Sequence, residues 1–138
     1  MILYHGSSFI VEKPQILREF TGRDFGVGFY TTTIKEQAIK WAHRKTKIDL
    51  RIGKKSTPIL NTYMCKDLLE LKDLKIKTFQ DVSMEWLDFV VENRSNPQFT
   101  HEFDIVIGNI ANDNVGETIA YVVSRSNYKR YCIRKVKV

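Results

Sequence analysis

His5-Gly6 closes a short apolar run near the start of the chain, with Tyr4 before it and Ser7 after it. A second segment, Asp24-Phe25-Gly26-Val27-Gly28-Phe29-Tyr30-Thr31-Thr32-Thr33, carries two glycines and delivers Tyr30 at the end of a strand. Trp41 follows eleven residues after Tyr30. A histidine at a strand end exchanges a hydrogen bond with a sugar hydroxyl while staying neutral at pH 7. Gly6 offers its N–H and C=O with no Cβ in the way, as pairing with a carboxamide requires. Two aromatic rings nearby hold a flat ring between π faces. Together these residues suit a flat, amide-bearing ring, and nicotinamide is such a ring. Gly26-x-Gly28 lacks the third glycine and the preceding buried strand of a dinucleotide fingerprint, so that reading is set aside. The glycines serve instead for a tight bend and close backbone approach.

The elements that must position these residues read as follows. Residues 2–5 form a short strand, and 8–23 are irregular, with Val11 and Ile16-Leu17 in need of a packing partner. Phe29-Tyr30-Thr31 is a strand. Thr33 and Glu36 have the form of a capping box, and Ile34, Ala38, Trp41 and Ala42 share one face of the helix that follows. Trp41 is open to two readings, ring stacking on a ligand or packing on the helix's buried face, and both can hold together. Residues 46–56 read as a basic loop, 58–65 as a strand, 68–74 as a leucine-rich turn and 75–77 as a further strand. A helix is expected over 81–94 with Met84, Leu87, Val90 and Val91 inward. The run Phe103-Asp104-Ile105-Val106-Ile107-Gly108 is a buried strand, 112–124 a helix with Val115, Ile119, Val122 and Val123 inward, and 128–138 a final basic strand. This mixed order predicts an α+β fold with a split, mostly antiparallel sheet and flanking helices.

Composition narrows the class. The 138 residues suit one domain over 1–138, with 43% hydrophobic and 28% charged side chains. Seven glycines and three prolines argue against low complexity. No stretch reaches membrane-spanning length and the start lacks the pattern of a signal peptide, so a cytoplasmic protein without a membrane partner is expected. Cys65 and Cys132 have no metal spacing and read as reduced thiols. His43 and His101 stand among polar residues, read as surface positions, and imply no metal. The net charge of +6 is carried by the basic segment 125–138, which has six basic residues and no acid, while the remainder balances 16 basic against 16 acidic side chains. A uniformly basic nucleic-acid binder would distribute its charge differently.

The His5-Gly6 pair, the Gly28-Phe29-Tyr30-Thr31 segment and Trp41 resemble the ADP-ribosyltransferases of the diphtheria-toxin and poly(ADP-ribose)-polymerase type. Within that group the chain is similar to small bacterial toxin-like domains, as are the strand ending at Gly108 and the Ala111-Asn112-Asp113-Asn114 segment. The resemblance covers residues 2 to about 124 and implies a split-sheet transferase fold. It implies NAD as the substrate, with no metal, held by Tyr4, His5, Gly6, Ser7, Gly28, Tyr30, Thr31 and Trp41. Tyr30 and Trp41 match the two aromatics that flank nicotinamide in that family. The implied reaction transfers ADP-ribose to a protein or nucleic acid and releases nicotinamide. A toxin or effector role, with a cognate antitoxin as partner, follows from the resemblance as well. His5 and Tyr30 are then expected in one cleft with Trp41 on the helix beside it. Rings of His5 and Tyr30 on opposite faces of the sheet would end the transferase reading, whatever the motifs look like.

Such transferases carry a third motif residue, Glu, Gln or Asp, at the start of a late strand, where it supports the cation-like transition state. This chain has none of these residues after Glu117. Asp113 or Glu117 has taken the role, beside His5 and Tyr30, or the chain is a degenerate or truncated member. A natural short form whose basic strand meets a nucleic acid or an acidic partner is the third option. Asp113 also reads as a helix cap, alongside Asn112. The alternative function is therefore a catalytically degenerate module of the same fold that binds NAD, protein or nucleic acid. An RNA-phosphate-processing relative would want arginines in the cleft, for which Arg23 and Arg44 are the nearest.

Overall fold

The structure is a computed structural model that describes residues 1–16, 23–110, 118–122 and 132–136. Strand β1 is Ile2–Ser7, β2 Gly28–Thr32, β3 Ile59–Cys65, β4 Ile76–Thr78, β5 Ile105–Gly108, β6 Thr118–Val122 and β7 Cys132–Val136. Helix α1 is Lys35–Arg51 and α2 is Met84–Ser95, with a 3-10 turn at Leu68–Glu70. The fold class is α+β. The strands run β4-β5-β6-β2-β1-β3-β7 across a 7-stranded sheet. Every neighbouring pair is antiparallel except β4 with β5.

The sheet is split. β1 pairs with β3 along its whole length, from Ile2↔Met64 to Ser7↔Ile59, and β2 pairs with β6 from Gly28↔Val122 to Thr32↔Thr118. Between them, β1 and β2 register at Tyr4↔Thr32. Beyond that point, toward Ser7 and Gly28, the two half-sheets part.

Side chains alternate between the two faces of each strand. On one face Leu3, Phe29, Tyr63, Cys65, Ile105 and Ile107 form a core with Leu71, and Val11 and Ile16 pack against it. Asn61 accepts from the Val11 N–H at 2.8 Å and the Tyr63 hydroxyl donates to the Val11 carbonyl at 2.7 Å, so the irregular stretch after β1 is tied to this face. On the other face Phe25, Tyr30, Phe79, Val106, Trp86 and Val90 make a second core under α2. Helix α1 also covers this second face, against Gly6.

Several expected elements hold: β3, β4, β5, β7 and the turn at Leu68–Glu70 lie within or beside the expected ranges. Others differ. α1 begins after Ile34, which makes no side-chain cap, and Thr33 is exposed; Thr32 Oγ1 instead accepts from the Ile34 N–H at 3.1 Å. α1 also continues to Arg51, well into the expected loop, because Lys, Leu and Arg favour helix even where no apolar stripe calls for it. α2 starts at Met84 behind Ser83, whose hydroxyl accepts from the Trp86 N–H. It buries Trp86 and Val90, leaving Met84, Leu87 and Val91 exposed. Trp86 anchors that rotation by donating its indole N–H to the Asn109 carbonyl at 2.8 Å. Residues 118–122 are strand rather than helix: Thr-Ile-Ala-Tyr-Val is β-favouring, and β2 and β5 on either side supply its hydrogen bonds. Leu17 and the expected helix residues Asn112, Asp113 and Val115 lie outside the described residues.

Candidate functional site

Where β1 and β2 part, a cavity of about 290 Å³ opens, lined by His5, Ser7, Gly28, Phe29 and Tyr30 from the two strands. Phe9, Val11, Lys13 and Gln15 wall it from the stretch after β1, Arg23 from the turn before β2, and Lys45 from α1. Its lining therefore comes from both faces of the sheet, because it sits at the parted edge rather than on one surface.

His5 and Tyr30 meet there through backbone. His5 Nδ1 lies 2.7 Å from the Tyr30 carbonyl oxygen. A carbonyl only accepts, so Nδ1 carries the proton and Nε2 is left as an acceptor. Burial pushes the imidazole down from 6.5 to about 4; the hydrogen bond to Tyr30 opposes this, and the charges of Lys45 and Arg23 reinforce it. The ring is neutral at pH 7 in a fixed tautomer. It packs on Phe29, with centroids 4.4 Å apart.

Gly6 is built for two reasons. Met1 and Cys65 exchange both backbone hydrogen bonds, the Met1 N to Cys65 O at 2.6 Å and the Cys65 N to Met1 O at 2.8 Å. Alternation along an antiparallel ladder then directs the N–H and C=O of Ile2, Tyr4 and Gly6 away from β3 and toward β2. Tyr4 spends its pair at Thr32, and Gly6 faces the parting. The lack of a side chain serves something else. A Cβ on Gly6 would stand 1.9 Å from the Ala38 carbonyl oxygen and 2.6 Å from the Ala42 nitrogen. Glycine is required because the backbone of α1 crosses β1 at contact distance, a packing reason where a purely ligand-side one was expected.

Tyr30 corrects a larger expectation. Phe29 and Tyr30 are neighbours, so they leave β2 on opposite faces, and the ring beside His5 is Phe29. The Tyr30 ring turns to the other face and lies against Phe25. Its hydroxyl donates to the Gly26 carbonyl at 2.7 Å and accepts from the Phe25 N–H at 3.1 Å. Burial raises the phenol far above its ordinary value. The Arg23 guanidinium stands 5.3 Å from the ring centroid. The His5 and Tyr30 rings are thus on opposite sides of the strands, although both residues line the parting. Tyr30→Phe is expected to cost about 2 kcal/mol, since it strands a buried N–H and removes a buried donor; urea denaturation checks it.

The turn carrying Arg23 is clamped to the α2 side of the molecule. Arg94 Nε lies 2.5 Å from buried Asp24. His101 Nε2 donates to the Phe25 carbonyl at 2.9 Å, while its Nδ1 accepts from the Phe103 N–H at 3.2 Å. His101 packs between Phe89 and Phe103, so it is a structural residue and not the surface residue expected. Gly26 takes φ +85°, and a Cβ there would meet Asn93 Oδ1 at 2.8 Å. His43 is exposed, as expected.

Of the remaining sequence candidates, Ser7 is fully buried and lines the cavity, Gly28 lines it, Tyr4 is half-buried, and Thr31 is buried on the Phe29 side of the strand. Trp41 is half-buried on α1 and is not among the lining residues; Lys45, one turn later, is. Arg44 is exposed on α1, whereas Arg23 reaches the cavity. Asp113 and Glu117 lie outside the described residues. Among the described residues the lining contains no carboxylate, and no group of His, Cys, Asp and Glu is placed to hold a metal ion. Among them, too, no helix is long and apolar enough to cross a membrane. Sequence reasoning missed Phe29 and Lys45. The strand period shows that Phe29 and Tyr30 face apart, but not which of them faces His5.

The site is thus a cation-lined cleft in the split of an α+β sheet. The chain belongs to the family described as "Protein of unknown function (DUF3990)", which it matches over residues 1–138. Neither a curated protein nor a solved structure matches it.

Proposed function

We propose that the cavity between β1 and β2 binds NAD and that the chain is a catalytically degenerate module of the ADP-ribosyltransferase type, since His5 and Tyr30 rings on opposite faces end the reading of an active transferase. The observation that carries this reading is the pairing of two groups at one opening. A neutral His5 keeps Nε2 as an acceptor for a ribose hydroxyl, and Gly6 directs its N–H and C=O at the same parting, where a carboxamide would pair. The Tyr30 ring, packed on Phe25 with its hydroxyl bonded to the Phe25–Gly26 backbone, and the place of Trp41 outside the lining remove a sandwich of nicotinamide between those two rings. They leave a ligand seated edge-on in the split, where it meets Phe29 and His5 on one side and Arg23 and Lys45 on the other. The cations suit the pyrophosphate of a dinucleotide. A toxin- or effector-like role with a cognate antitoxin accompanies this reading.

The absence of turnover has its own support. No carboxylate lines the cavity among the described residues, and β6 starts at Thr118 opposite Thr32, the end of β2 away from Gly28. A fold that binds NAD or a partner without turnover fits that arrangement.

Titration calorimetry with NAD, followed by a nicotinamide-release assay, tests both. Binding with release supports the transferase, and binding without release supports the inactive module. His5→Ala is expected to weaken NAD binding roughly tenfold, the worth of about one hydrogen bond to a polar group. An affinity unchanged in His5→Ala sinks the assignment of this cavity.

A further inference from the structure

Helix α1 was expected to end near residue 45; its continuation to Arg51 assembles a surface that the shorter helix would not have. Lys40, Arg44, Lys47 and Arg51 are spaced i, i+4, i+7 and i+11, which places all four within one narrow stripe. All four are exposed, and the stripe lies opposite the side that buries Ala38 and Ala42. It runs about 16 Å along the helix axis at 1.5 Å per residue. Beyond the helix, Gly53 turns the chain at φ +76° and exposes Lys54 and Lys55 at the end of the stripe.

The charge is concentrated and not offset locally. Residues 35–55 hold eight basic side chains and two acidic ones, Glu36 and Asp49. Glu36 lies in the first turn of the helix, before the stripe. Asp49 is engaged elsewhere: its carboxylate accepts from the Ser56 hydroxyl at 2.7 Å, and this bond and one from Ser8 hold the carboxyl below its usual range. Among the described residues, none of the four stripe cations takes part in an ion pair. A protein of near-balanced composition outside its last residues thus gathers cations on one helix face. A lengthwise row of Lys and Arg with no intervening acid is the electrostatic footprint of a phosphate backbone. A protein partner with an acidic patch would need matched carboxylates in the same row; a nucleic-acid strand has that periodic charge already.

We propose that the solvent face of α1 docks the phosphate backbone of a nucleic-acid strand along Lys40, Arg44, Lys47 and Arg51. The inference stands apart from the NAD reading, since it concerns a different surface and needs no ligand in the cavity. If both hold, Lys45 on the same helix joins the stripe to the cavity, and the strand is the macromolecule brought to the site.

The test is fluorescence anisotropy with single-stranded RNA and DNA oligonucleotides of mixed sequence, without NAD, over a series of salt concentrations. Wild-type protein is expected to bind with affinity that falls as salt rises, by about 0.7 in log–log slope for each phosphate neutralised. Arg44→Gln/Lys47→Gln is expected to weaken binding about tenfold and lower the slope by about 1.4, two contacts' worth. Lys66→Gln/Lys72→Gln removes the same net charge from exposed positions off the helix and is expected to change little. Circular dichroism confirms that both variants fold. Equal losses in the two variants would assign the effect to net charge alone and overturn the proposal. So would no binding, or binding to vesicles of anionic lipid with none to oligonucleotides. NAD binding that persists in Arg44→Gln/Lys47→Gln while oligonucleotide binding is lost separates this surface from the cavity.

Discussion

Gly6→Ala is expected to cost about 3 kcal/mol of stability or more, at the upper end of what overpacking costs in well-packed interiors. The added Cβ would fall 1.9 Å from the Ala38 carbonyl oxygen and 2.6 Å from the Ala42 nitrogen. Both obstacles are backbone atoms of α1, so no side-chain rotamer relieves them and the helix itself must move off β1. A melting temperature lower by on the order of 10 °C follows for a chain of this size. Gly53→Ala provides the scale. Gly53 also needs glycine, for its φ of +76°, but has no atom within 4 Å of a built Cβ. Its loss is expected to be about 1 kcal/mol, the cost of a left-handed alanine. Thermal unfolding of the two variants side by side checks the ranking. A Gly6→Ala protein as stable as Gly53→Ala would mean that α1 does not cross β1 at contact distance. The cavity's geometry would fall with it, since Lys45 reaches the parting from that helix.

The parts of the fold legible in the sequence were those where one signal had no competitor. Ile105, Val106 and Ile107 are apolar on both faces, and β5 is buried on both. The helix face of Ala38 and Ala42 held for the same reason, as small residues under a crossing strand. Where two periods overlapped, the neighbours decided. Ile119, Val122 and Val123 fit a helical spacing, but Thr118–Val122 has strands on both sides that need its backbone groups. In α2 Met84, Leu87, Val90 and Val91 were expected inward, and only Val90 is, beside Trp86, whose ring is large and whose N–H found the Asn109 carbonyl. The site shows the same division. That His5, Ser7, Gly28 and Tyr30 gather at one opening was readable from the motifs. Which way each side chain points was not, because it depends on the single Tyr4↔Thr32 register that joins the half-sheets. A shift of one residue there would have exchanged Phe29 for Tyr30 beside His5.

His5 should make the protein lose stability on mild acidification, and removing it should flatten that loss. The folded imidazole titrates near pH 4, against 6.5 for an ordinary histidine, because burial disfavours the charged ring. Between those values the unfolded chain holds a proton that the folded chain does not. Stability contributed by this group is therefore complete above about pH 6.5 and is lost as pH falls toward 4. The full span is on the order of 3 kcal/mol. His101, also pushed down by burial, contributes with the same sign, so the informative quantity is a difference between proteins. Urea unfolding of wild type and His5→Asn from about pH 7 to about pH 4 should show a shallower decline in the variant, even if its stability at neutral pH is lower for want of the bond to Tyr30. The same value sets the pH dependence of the proposed site. A ribose hydroxyl donating to Nε2 needs only a neutral ring, so NAD affinity should stay nearly level from about pH 8 to about pH 5. A midpoint near 6.5 would mean that His5 is solvated like a surface histidine. Parallel stability curves for wild type and His5→Asn would say the same, and in either case the burial that fixes its tautomer, and with it the acceptor at Nε2, would be wrong.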